Sequence, residues 1–397
     1  MPRRLASSYV TAIMFWSGIL AGCAFLQPAR GSEGQAPPAE ADSRPAVVEP
    51  SQPEGQIAFT RERDGSTDIY LMDADGSDLV NLSRHPGQDY SPSWSPEGER
   101  IAFLSDRTGK SEVFVMDASG ENTLQLTDDP QGAWWGAPLR WAPDGSRLLA
   151  VRAFTFNDNW TRSEVYVIEA DGSGWRPVYL GQLMAHNDFD PEWVGPDQVG
   201  FRGFRYTATA LYSVLVGNGV PQAVFVRASE PVLAFAPSSV GNLVALVTWS
   251  QRMGERQFEY EARLRLLDRE NGVERAAPDV SGLDSMGEFA LTLSPQGERI
   301  AFPATQLRGR RELWVWFLDC PTDLDLCLVP QTELGRVRGF PGWSPDGKWL
   351  VFSSEAGGDE EIYRVQVPEF WSPTAALKEP VRMTTSDGRD YEPTWRP

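Results

Sequence analysis

The chain has 397 residues, 41% of them hydrophobic and 23% charged, enough to bury a sizeable core in two or three domains or in one fold that grows by repetition. Its 55 Asp and Glu against 36 Lys and Arg give a formal net charge of −19 at pH 7. That balance excludes a nucleic-acid backbone or an anionic membrane surface as the main partner.

At the N-terminus, Arg3 and Arg4 precede a largely apolar run from Tyr9 to Leu20 that is too short for a comfortable membrane span, and Leu20-Ala21-Gly22-Cys23 follows at once. This resembles a bacterial lipoprotein signal with its lipobox. The resemblance implies cleavage before Cys23, which becomes a lipidated N-terminus holding the protein outside the cytoplasm on a bacterial membrane, in the periplasm or at the cell surface. An ordinary secretory signal or an uncleaved anchor is the competing reading. Residues 1–22 are thus expected to be a signal peptide and 23–54 a lipidated Pro/Glu/Ala-rich linker, which holds too few large apolar residues to order itself and is stiffened by proline.

From residue 55 onward one pattern recurs. Ile57–Thr60 and Asp68–Asp73 read as second and third strands of a unit with no first strand before them. Ser91–Asp117 then states the unit in full: a short strand ending at Trp94, the turn Ser95-Pro96-Glu97-Gly98, the strand Ile101–Leu104, a polar turn around Gly109, and the strand Val113–Met116. Trp94, Trp141, Trp193, Phe235, Leu293, Trp343 and Trp395 are its anchors. They lie roughly 50 residues apart, the length of one four-stranded propeller blade plus insertions. The last anchor belongs to a first strand with no hairpin after it, so it completes the unit begun at Gln56. The expected fold is all-β, a seven-bladed β-propeller over residues 55–397 closed by the C-terminal strand, with six or eight blades as alternatives.

The repeats W-S-P-[DE]-G, I-A-F, S-D-R-x-G and [QN]-L-[ST], as they stand between Ile57 and Thr127, resemble those of the TolB-like propellers. Propellers attached to prolyl-oligopeptidase-type peptidases carry the same type of repeat. The TolB-like resemblance implies a protein partner and, with the lipoprotein signal, a lipid-anchored binding platform for an extracytoplasmic protein or an envelope polymer. No G-x-S-x-G elbow follows the propeller, and His85 and His186 are too few for the histidine-and-metal pattern of related polysaccharide lyases. A noncatalytic protein is therefore expected. The alternative is a carbohydrate-binding or carbohydrate-degrading propeller with a metal in its channel mouth.

Candidate site residues cluster in the long loops that lead into the first strands. Asp89-Tyr90-Ser91-Pro92-Ser93-Trp94, Asp188-Phe189-Asp190-Pro191-Glu192-Trp193 and Asp390-Tyr391-Glu392-Pro393-Thr394-Trp395 share Asp, aromatic, any residue, Pro, any residue, Trp. Either Asp89, Asp188 and Asp390, with Asp190, Tyr90, Tyr391 and His186 near them, form an acidic aromatic-rimmed mouth for a divalent cation, a basic group or a sugar, or each Asp caps its own loop. Trp134, Trp135 and Trp160 sit in loops where core duty is less obvious, and they either stack on a ligand or cover blade ends. Cys320 and Cys327 are expected to form a disulfide in an oxidising compartment, against two free thiols or half of a metal site. Asp73-Ala74-Asp75-Gly76-Ser77-Asp78 has the spacing of calcium-binding acids, but its recurrence in later repeats makes it a hairpin turn.

Overall fold

In a computed structural model of the protein each W-S-P-x-G stretch is a tight turn between the first and second strands of a four-stranded antiparallel blade. Gly98 N–H donates to Ser95 O at 2.8 Å and Gly347 N–H to Ser344 O at 2.8 Å. The two glycines have φ of 69° and 70°, a region that favours glycine because it lacks a Cβ. The structure describes residues 53–397 apart from 157–159, 180–186, 206–207, 218, 228, 239–241, 254–257, 276, 279, 281–282, 285–289, 307–310, 319, 321–326, 333, 335 and 370–377. The signal segment 1–22, Cys23, the linker up to residue 52 and His186 lie outside the described residues.

Among the described residues the strands fall into seven blades, numbered here from the N-terminus. Blade 1 joins the C-terminal strand Arg389–Trp395 to Gln56–Arg63, Ser66–Asp73 and Val80–Asn81. The first strands of blades 2 to 5 are Asp89–Trp94, Trp134–Trp141, Asn187–Gly195 and Val232–Pro237. Blade 6 begins with two short pieces, Leu283–Asp284 and Thr292–Leu293, both paired to Arg299–Gln306. Blade 7 begins with Val337–Trp343. Blades 3 and 4 are continuous through a parallel bridge between Ser163 and Asn187. Each first strand packs against the next, and that of blade 7 packs against Arg389–Trp395, so these inner strands form a closed ring.

The second and third strands of each blade carry the core. Ile101, Ala102, Phe103, Leu104 and Val113 are fully buried, because in a blade sandwiched between two others both faces of the central strands meet apolar neighbours. A carboxylate at the start of a third strand ties down the chain that leaves the fourth. Glu112 accepts hydrogen bonds from Thr127 Oγ1 and, at 2.9 Å, from Asp129 N–H. Glu361 binds Thr384 and Ser386 in the same way. This explains the Ser or Thr of the [QN]-L-[ST] repeat.

The tryptophan anchors join blades. Trp141 Nε1 donates to Ser93 O at 3.0 Å and Trp193 Nε1 to Arg140 O at 3.1 Å, each to a carbonyl on the preceding blade. An arginine of the preceding blade covers the ring: Arg100 over Trp141 at 4.8 Å, Arg147 over Trp193 at 5.0 Å and Arg299 over Trp343 at 5.3 Å. Each of these arginines is the second residue after its turn glycine. Arg396 repeats the contact on Trp94 at 5.2 Å and so links the C-terminal strand to blade 2.

Candidate functional site

The ring of inner strands encloses a cavity of about 1090 Å³ lined from several blades, with Ser91, Arg140, Asp190, Glu192, Phe340 and Glu392 among its walls. A β-bulge interrupts the pairing of the inner strand between Tyr90 and Ser93 and between Phe189 and Glu192, and the closing strand skips a residue in the same place. Within these bulges Ser91, Asp190 and Glu392 have φ of 55°, 46° and 53°. Non-glycine residues rarely adopt that geometry, and it re-aims the side chain. All three residues precede a proline, which already keeps them out of the right-handed helical region.

Glu392 Oε2 accepts hydrogen bonds from Ser91 N–H at 2.9 Å, Ser91 Oγ at 2.9 Å and Thr60 Oγ1 at 3.2 Å. Its carboxyl is held above the usual range because withdrawal from water outweighs those three donors, and the charge of Glu360 adds to the rise. Glu192 is also pushed up by burial, with Asp190 contributing, although Arg140 Nε lies 2.5 Å from its Oε1 and acts the other way. Asp190 pairs with Arg202 at 2.6 Å. Arg140 reaches across the ring, its guanidinium 5.9 Å from the centre of the Phe340 ring on blade 7.

The aspartates that open the repeated motif are elsewhere. Asp89, Asp188 and Asp390 are fully buried and do not line the cavity. Asp89 accepts both its bonds from Arg107 Nη2 at 3.0 Å, Asp390 is bound by Arg61 at 2.7 and 2.6 Å, and Asp188 accepts from the Tyr179 hydroxyl at 2.6 Å. The two arginines stand over rings of their own blades, Arg107 over Phe114 at 4.8 Å and Arg61 over Tyr70 at 4.7 Å. The structure therefore does not bring these aspartates together on the axis. Among the described residues no group of three or more His, Cys, Asp or Glu is placed to hold a metal.

Tyr90 is half-buried with its hydroxyl 2.8 Å from Ser111 Oγ. Tyr391 is half-buried under Arg389, and loss of water pushes its hydroxyl up to about 12. Trp134 is 46% exposed, whereas Trp135 is fully buried, edge-on to Tyr166 and Trp175. Neighbours on a strand point to opposite sides, so one of the pair had to be core. Trp160 begins a third strand, and its side chain is outside the described residues. Cys320 and Cys327 are disulfide-bonded. At the acid-rich turn, Asp75 accepts from Ser77 N–H at 2.9 Å and Ser77 Oγ at 2.6 Å, a self-contained turn device.

Sequence reasoning passed over Arg140, Glu192, Phe340 and Glu392. The available signal was positional: Phe340 and Glu392 stand three residues before their tryptophan, where Asp190 and Ser91 also stand.

Residues 45–133 match the TolB beta propeller domain. The fold is a TolB-like β-propeller. This TolB-like propeller is similar to TolB from Acinetobacter baumannii at 15% identity and a TM-score of 0.50, over 88% of this chain and 68% of that one. It is similar to an oligogalacturonate lyase solved with manganese at 13% identity and a TM-score of 0.63, over 79% and 86% of the two chains. A Mycobacterium tuberculosis puromycin-hydrolyzing peptidase matches at 15% identity and a TM-score of 0.54, over 84% of this chain and 54% of that one. No curated protein matches the sequence. These neighbours correct the expectation of a protein that is not an enzyme. A lyase and a peptidase carry the same fold, and neither the fold nor the small number of histidines excludes catalysis.

Proposed function

We propose that the protein is an extracytoplasmic binding propeller, tethered through a lipid on Cys23 and the linker 23–54, that takes a segment of a protein partner into its axial cavity. The observation that carries this reading is the cavity of about 1090 Å³, walled by charged and aromatic side chains from several blades. It has the size and mixed lining of a binding cleft, and the strained residues Ser91, Asp190 and Glu392 lie on its wall. The test is a photocrosslinking residue placed in cells at Phe340 in the cavity and, as control, at Val220, which is 76% exposed elsewhere. A discrete protein adduct from position 340 alone is expected. No adduct there, or the same adducts from both positions, overturns the reading.

A carbohydrate ligand, such as an envelope polymer, is the second reading, favoured by the exposed indole of Trp134 at the start of an inner strand. Binding to a glycan array that Trp134→Ala abolishes, with no adduct from position 340, would favour it over a protein segment.

A further inference from the structure

In five of the seven repeats the residue three before the anchor lines the cavity: Ser91, Pro138, Asp190, Phe340 and Glu392. Blades 7, 1 and 2 present Phe340, Glu392 and Ser91 to the cavity from inner strands that pack against one another, and Ser91 is hydrogen-bonded to Glu392. The carboxylates of the wall are not equally provided for. Asp190 has Arg202 and Glu192 has Arg140. Glu392 has three hydroxyl and amide donors, all on Oε2, and among the described residues no Lys or Arg pairs with it.

The lumen already shows what such a wall binds. The guanidinium of Arg140 rests against Phe340 with the Glu192 carboxylate beside it, so an aromatic face and a carboxylate together seat a cation of the chain itself. The strand next to that of Phe340 brings a second carboxylate, Glu392, to the same cavity wall, without an internal cation on it among the described residues. Phe340 remains 44% exposed.

We propose that Phe340 and Glu392, with Ser91 as polar floor, form a second cation seat that takes a lysine or arginine side chain of the partner segment. This rests on the cavity's proposed role as a binding site for a protein segment. An organic cation fits better than a metal ion. Its single charge is matched by one carboxylate and a ring face, whereas a metal needs several oxygen ligands, and no such group exists among the described residues. An acidic or neutral side chain would leave the Glu392 charge desolvated and unpaired, so the seat selects by penalty as well as by attraction.

The experiment titrates the full-length protein into two labelled peptides, Gly-Gly-Lys-Gly-Gly and the same peptide with norleucine for lysine, at physiological salt. The lysine peptide is expected to bind about tenfold tighter or more. Glu392→Gln, which keeps the side chain's shape, should reduce the preference to under about twofold, and Phe340→Leu should weaken lysine binding. Asp359→Asn, at an exposed acid, should change neither. Equal affinity for the two peptides, no binding of either, or an equal loss in Glu392→Gln and Asp359→Asn overturns the seat. Crosslinking separates this from the broader reading. An adduct from position 340 whose captured segment lacks Lys and Arg, and which survives Glu392→Gln, removes the seat and leaves the cavity as a binding site.

Discussion

Glu392 combines two conditions that cost stability, a left-handed backbone on a residue with a side chain and a carboxylate withdrawn from water. Its folded pKa lies above the unfolded value, so the native state binds the proton more tightly. The destabilisation is fully present at pH above the folded pKa and is relieved as pH falls through it toward the ordinary carboxylate range. Glu392→Gln should therefore raise Tm by about 1–3 °C at neutral pH. The mutant-minus-wild-type difference should shrink on acidification, as read by differential scanning calorimetry. A mutant less stable than wild type at neutral pH would show that the three donors outweigh the desolvation. Removing the charge of Asp390 should have the opposite effect on stability, because that carboxylate is the buried partner of Arg61. Asp390→Asn leaves Arg61, whose side chain is 10% exposed, without its counter-charge, and should cost about 3–5 kcal/mol, read as a lower denaturant midpoint at unchanged slope.

Among the elements, the closing strand Arg389–Trp395 carries the most. It pairs with Gln56–Arg63, with Trp395 opposite Ile57 and Asp390 opposite Arg61, and it holds the ring shut against blades 7 and 2. Deleting residues 389–397 strips blade 1 of its inner strand and opens an edge for intermolecular pairing. Loss of the cooperative thermal transition, with aggregation visible by light scattering, is the expected result, and an unchanged Tm would contradict the role given to this strand. The seams between blades depend on smaller contacts. Arg299→Ala removes the guanidinium from the Trp343 ring and should destabilise by about 1 kcal/mol, while an equivalent change at the exposed Arg63 should be close to neutral in the same melt.

For the whole molecule the remaining prediction concerns anchoring. Cys23→Ser should move the protein from the membrane to the soluble fraction, since acyl chains supply most of the membrane affinity of a lipoprotein, and its retention after fractionation would indicate an uncleaved helix. Much of the architecture was legible without coordinates, because its signals are local. A turn such as Ser95-Pro96-Glu97-Gly98 needs particular residues within four positions, and the strands after it announce themselves by β-branched and aromatic runs. Even the closing strand could be read, from an unpaired first strand at one end and an unpaired hairpin at the other. The lumen wall could not be read in this way. A strand pattern assigns sides by strict alternation, and a bulge at Ser91, Asp190 or Glu392 breaks that alternation and turns a different residue inward. The motif aspartates consequently went to partners within the blades, Asp89 and Asp390 to arginines and Asp188 to the Tyr179 hydroxyl, and the residues two positions later went to the axis. The sequence by itself determined the repeat, the turns and the closure, each a matter of neighbours along the chain. Only the tertiary structure decided which carboxylates meet an arginine and which face the cavity, because that depends on residues from 12 to 329 positions apart being brought together by strand pairing within a blade and by closure of the ring.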